Sequence, residues 1–148
     1  MSVITDLKTL YEIDAHQWLE ETIELLKANR FNDLDLENLI EELEALGRND
    51  KNAVESLLEQ VIRHLLLLQY WTEKFENNEY HWKAEIIGFR TQLKRKLTTN
   101  LRNHLAQELS SLYQDALAYV KQKTGLKVNF PQECPYTFEQ LLDINWLP

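Results

Sequence analysis

Apolar residues recur along this chain at spacings of three and four, the mark of helices that bury one face. Asp14 stands three residues before Gln17 in a capping-box arrangement, and Ala15, Trp18, Leu19, Thr22, Leu25 and Leu26 then share a face, predicting a helix over 14–29. Asp35 offers the next cap, with Leu34 and Leu39 at the spacing of a hydrophobic staple. The following stripe, Leu36, Leu39, Ile40, Leu43 and Leu46, predicts a buried face on a helix over 35–47 that Gly47 ends or bends. A third stripe, Val54, Leu57, Leu58, Val61, Leu65 and Leu68, predicts a helix over 51–74. From Leu65 to Leu68 it is apolar all round, which places that segment at the centre of the fold.

The polar run Glu76 to Glu79 reads as a break, after which Trp82, Ile86, Phe89, Leu93 and Leu97 predict a helix over 80–97. Thr98, Thr99 and Asn100 are cap residues for a helix over 100–124 with the stripe Leu101, Leu105, Leu109, Leu112, Ala116 and Val120. Gly125 can close it in the left-handed conformation, with Leu126 folding back on Val120 as in a Schellman ending. Beyond it Pro131 and Pro135 interrupt regular structure, and Thr137 with Gln140 makes a second capping box for a short helix over 137–143. Phe130, Tyr136, Phe138 and Trp146 give the tail enough apolar weight to strap across a bundle.

Composition agrees: with three glycines and three prolines in 148 residues, long helices and short turns are expected. The length suits one domain, residues 1–148, that buries about two-thirds of its unfolded surface. The predicted architecture is therefore all-α, a single-domain helical bundle of about five main helices plus a short C-terminal helix. The lone Cys134 excludes an internal disulfide, and the first thirty residues show no leader pattern, so a cytoplasmic location is expected. Leu65 to Leu68 is the longest apolar run, far short of the roughly 20 residues that span a bilayer. The net charge of −8 disfavours nucleic acid. That charge is uneven: residues 1–62 hold fifteen acidic and five basic residues, while Lys83 to Arg102 holds six basic and one acidic.

One family carries many of these residues at the same places. They include Tyr11, Glu12, Asp14 and Trp18; the run from Leu34 to Glu44 followed by Leu46, Gly47 and Arg48; and His64, Leu65 and Leu66. Trp82, Arg90, Tyr113, Thr124 to Leu126, Phe130-Pro131, Cys134 to Tyr136 and Leu147-Pro148 complete the pattern. The chain resembles the bacterial family named domain of unknown function 29, common in cyanobacteria. It departs from that family's usual residues at Leu67 and His81, and it lacks a proline before the Leu101 segment. The resemblance implies an all-helical bundle and supplies no activity, substrate, cofactor or catalytic residue.

Four constellations are chemically suggestive. Glu37, Glu41 and Glu44 fall at i, i+4 and i+7 on one ridge, yet no Glu precedes a His by three residues as in ferritin-like metal sites, and Glu41 lies nearly opposite the apolar face. His64 borders a core stripe, where a histidine commonly donates one hydrogen bond and stays neutral; Arg63 lies opposite that stripe and is expected to be exposed. Arg90 lies on the margin of its stripe, positioned to pair with Glu41 or Glu44. Arg90, Lys94, Arg95, Lys96 and Arg102 form a basic run, most simply a solvated helix end. Zinc-binding pairs, nucleophile elbows, phosphate loops and the Arg–His spacing of helical ribonucleases do not occur, and Cys134 has no neighbour to activate it.

These observations favour a non-enzymatic interaction or regulatory module whose acidic face docks on a basic or apolar protein, with no cofactor and no membrane. The alternative is a metal- or small-molecule-dependent bundle enzyme using Glu41, Glu44, His64 and Arg90 as a site between helices.

Overall fold

Caps at the expected offsets and a helix-forming composition organise residues 6–148, those described by the computed structural model, into six α-helices without a strand among them. These are α1 (Leu7–Ile13), α2 (Ala15–Lys27), α3 (Leu36–Tyr70), α4 (Phe75–Lys96), α5 (Thr99–Thr124) and α6 (Phe138–Leu142). Short 3-10 turns at Phe31–Asp33 and Thr72–Lys74 precede α3 and α4. The architecture is all-α. The chain forms two compact units, one ending at Arg48 and one spanning Asn49–Pro148, and α3 begins in the first and continues into the second.

Three boundaries differ from expectation. The short α1 was not anticipated; Asp6 caps it by accepting from the Thr9 amide at 2.9 Å, and Asp14 closes it while capping α2. The separate helices over 35–47 and 51–74 are one helix, α3. Gly47 does not end it, because a mid-helix glycine costs only about 1 kcal/mol relative to alanine, whereas a terminus leaves four carbonyls unpaired. Finally, Glu76 to Glu79 lie inside α4. Polar residues without glycine or proline do not stop a helix, and Glu76 in the first turn suits the dipole. The interruption falls at Trp71, whose φ of −91° and ψ of 63° are not helical.

In the first unit Trp18 is the one large apolar side chain that is buried among the described residues. Its indole donates to buried Asp35 at 3.2 Å, and its ring meets Tyr11 edge-on at 5.0 Å. Asp35 also accepts from the Asn38 side-chain amide at 2.7 Å, so the carboxylate read as a helix cap links α2 to α3 as well. The stripe Leu36, Ile40, Leu43 and Leu46 is exposed rather than buried, each residue retaining more than half of its accessible surface. The bonds from α1 and α2 go instead to carboxylates, Asp35 just before α3 and Glu42 within it; Tyr11 donates its hydroxyl hydrogen to Glu42. Leu19 and Leu26, expected on the inner face of α2, are exposed too, while Thr22 is buried and donates to the Trp18 carbonyl.

The core lies in the second unit. Val54, Leu58, Val61 and Ile62 of α3 meet Trp82, Ile86 and Leu93 of α4 and Leu105, Leu112, Ala116 and Val120 of α5. Leu65 to Leu68 are buried throughout, as their all-round apolar character requires. The tail straps this core: Tyr113 donates to the Pro131 carbonyl at 2.6 Å, Tyr136 to Gln69 at 2.8 Å, and Phe130 meets Tyr70 edge-on. Burial of Tyr113 pushes its hydroxyl up to about 12. Arg63 is half-buried rather than exposed, pairing with Glu59 and stacking on Tyr119 with the guanidinium carbon 3.8 Å from the ring centre. A long side chain opposite the apolar stripe can lie along its own helix and cover a neighbouring ring.

Candidate functional site

Of the residues singled out from sequence, Glu41 and Glu44 belong to the first unit and His64 and Arg90 to the second. Glu41 and Glu44 are exposed on α3, and Glu44 faces Arg48 one turn on at 4.0 Å. His64 sits half-buried with its ring 5.2 Å from Phe89. Its Nδ1 is 2.7 Å from the Gln60 carbonyl, an acceptor, so that nitrogen carries the hydrogen and Nε2 is left as the lone-pair nitrogen. Desolvation by burial lowers its pKa below the ordinary histidine value, which keeps the ring neutral.

Arg90 is the buried charge of the second unit, 2 % exposed. A carboxylate partner, Glu41 or Glu44, was expected; among the described residues it has no ion pair. Its Nε donates to the Leu141 carbonyl at 2.9 Å, Nη1 to Trp146 at 2.7 Å and Nη2 to Gln140 at 2.9 Å. A planar fork thus reaches two carbonyls of α6, those of Gln140 and Leu141, and the Trp146 carbonyl in the segment beyond it; the Gln140 oxygen also accepts from the Asp143 amide at 3.3 Å. Desolvation lowers its pKa and the charge of Asp143 partly offsets that. Arg90 is therefore the clasp that holds the tail.

A different constellation emerges in the first unit. A groove of about 820 Å³ is walled by Asp6, Glu20, Glu21, Glu24 and Asp33, with Leu7 and Leu25 among its apolar lining. Its one cation, Arg30, is bound to Asp33 at 2.9 Å. The carboxylates do not converge: among the described residues no group of three or more His, Cys, Asp or Glu is placed to hold a metal ion. The exposed ridge Leu36, Ile40 and Leu43, at i, i+4 and i+7, adds a second apolar surface to the unit, and Glu37, Glu41 and Glu44 lie between those positions. Charge follows the same division. Residues 1–48 hold twelve acidic and four basic residues, and residues 49–148 hold twelve of each, so the entire −8 belongs to the first stretch.

The sequence could not show this surface, because an exposed i, i+4, i+7 ridge has the same pattern as a core stripe. The charge imbalance was the readable signal. Burial raises the pKa of Cys134, so its thiol stays protonated and quiet. No helix among the described residues is long and apolar enough to cross a membrane.

Neither the curated proteins nor the solved structures contain a match to the chain. A family model described as domain of unknown function DUF29 matches residues 10–147, nearly the whole length, and the chain belongs to that family.

Proposed function

We propose that this protein is an interaction module rather than an enzyme, whose N-terminal unit docks on a basic partner protein bearing an apolar face. The observation that carries this reading is the coincidence of all the net charge with the exposed apolar residues. Nine of the fifteen large apolar side chains left exposed among the described residues lie before Arg48: Ile13, Leu19, Ile23, Leu26, Phe31, Leu36, Ile40, Leu43 and Leu46. Scattered leucines on a surface are ordinary, but an apolar ridge bordered by charges is how helix-mediated interfaces are built. Fully covering one leucine or isoleucine is worth about 1.5–3 kcal/mol, so three anchors offset much of the cost of association. The carboxylates supply orientation and speed of encounter with a basic surface. They also repel a second copy of the same unit, which favours a partner of opposite charge. A cytoplasmic setting accords with the unpaired, protonated thiol of Cys134.

The test is quantitative capture from an extract of the native organism, comparing the wild-type chain with Leu36→Ser/Ile40→Ser/Leu43→Ser at low and high salt. A basic protein should bind the wild type stoichiometrically, weaken as salt screens the carboxylates, and be lost from the triple variant. Circular dichroism should show unchanged helicity, since these side chains are exposed. Recovery of no protein that distinguishes the two baits would refute the reading.

A further inference from the structure

The second unit contains a cleft of about 550 Å³ where the end of α4, the start of α5 and the residues after α6 meet. Arg90 and Lys94 of α4 and Arg102 of α5 bring three cations to it, against the single carboxylate of Asp143. Among the described residues none of the three cations has an ion pair. The Arg90 charge is buried, and only three of its five N–H groups are accepted by carbonyls. Arg102 is held over the ring of Phe138, its guanidinium carbon 5.3 Å from the ring centre, which limits where the fork can go.

The backbone adds to this field. The 26-residue α5 starts at the cleft with no acidic residue in its first turn, so its positive end is uncompensated. Thr98 accepts from the Leu101 amide at 3.2 Å, which leaves the amides of Thr99 and Asn100 as first-turn donors without a helical acceptor. The wall is not wholly polar, since Leu97, Leu142 and Ile144 line it as well.

We infer that this cleft binds a small phosphate monoester, its phosphoryl group among Arg90, Lys94, Arg102 and the α5 amides and its apolar body against Leu97 and Ile144. Forked guanidinium groups and helix N-termini both match tetrahedral oxyanions. A nucleic-acid strand is the poorer fit, because residues 49–148 carry equal numbers of acidic and basic residues and offer no extended cationic track. The cleft, open on one side, has the volume of a small-molecule site. This inference is independent of the docking surface on the first unit.

Calorimetric titration of the full chain at low ionic strength tests it, with phenyl phosphate and inorganic phosphate as probes. Phenyl phosphate should saturate one site per chain and bind more tightly than inorganic phosphate. Lys94→Gln/Arg102→Gln, at two exposed positions, should weaken it at least about tenfold, the scale of losing charge-assisted contacts. The control Lys121→Gln/Lys123→Gln should bind as the wild type does. In the wild type alone, phenyl phosphate should move the amide resonances of Thr99 and Asn100. Absence of saturable binding, equal weakening by the control pair, or unmoved Thr99 and Asn100 resonances would each overturn the inference.

Discussion

Arg90 keeps a positive charge out of water with three carbonyl oxygens as its bonded partners. Hydrogen bonds to a charged group are worth about 1.5–3 kcal/mol each, and removing the fork takes away the side-chain donor of the Leu141 and Trp146 carbonyls, while Gln140 keeps the Asp143 amide. Arg90→Met should therefore cost roughly 3–5 kcal/mol, the usual toll of breaking a buried charged network. Limited proteolysis should then cut first in the segment after Phe130, which loses its clasp. Arg90→Lys should recover little, because an ammonium cannot reach three separated acceptors as a planar fork does. Urea denaturation gives the magnitude; a loss below about 1 kcal/mol, one ordinary neutral hydrogen bond, would contradict this role. Sequence spacing placed Arg90 at the edge of a core and invited a carboxylate partner. Carbonyl acceptors occur at every residue and leave no mark in a sequence, so the true partners were not readable there.

The helix ends were more legible than the helix middles. Asp14, Thr98 and Thr137 each cap the helix predicted for them, and the Thr137–Gln140 box closes in both directions. Caps are local chemistry, so a few residues suffice to specify them. The Schellman ending expected at Gly125 occurs instead at the end of α2, where no C-terminal motif was anticipated. Asn29, at φ 57°, ends α2 in a full Schellman pattern, with the Arg30 amide on the Leu25 carbonyl and the Asn29 amide on Leu26. Gly125, at φ 64°, makes only the simpler left-handed cap through Lys121, and the Leu126 amide turns to the Thr124 hydroxyl. A Cβ at Gly47, Gly88 or Gly125 would meet nothing within 4 Å, so backbone conformation alone decides each substitution. Gly47→Ala and Gly88→Ala should stabilise by about 0.5–1 kcal/mol, since both glycines are helical and gain no contact penalty. Gly125→Ala should destabilise by about 1 kcal/mol, because the left-handed conformation crowds a Cβ. Gly88 and Gly125 belong to the same unit, so one denaturation transition reports both, and a neutral or stabilising Gly125→Ala would refute the assignment.

At the scale of the whole molecule, apolar burial and net charge are divided along the chain. Twenty apolar side chains are buried in the second unit, whereas Trp18 stands alone in the first among the described residues. The core was legible because Leu65 to Leu68 has no polar side, and such a segment has to be surrounded. The exposed ridge was not, since periodicity records which residues share a face and is silent on whether anything covers it. Burying one tryptophan contributes only a few kcal/mol, about the size of a single large side chain's transfer, while twelve carboxylates against four cations repel one another. The first unit must then open more readily than the second. Hydrogen exchange should find the slowest amides in α3 between Val54 and Leu68, in α4 between Ile86 and Leu93, and in α5 between Leu105 and Val120. Amides of α2 should exchange at least about a hundredfold faster, through openings that leave the second unit intact. Added salt should narrow the gap by screening the carboxylates of α2 and the start of α3. If α2 and α5 exchanged at the same rate, the first unit would have to be held by more than Trp18 and its bond to Asp35.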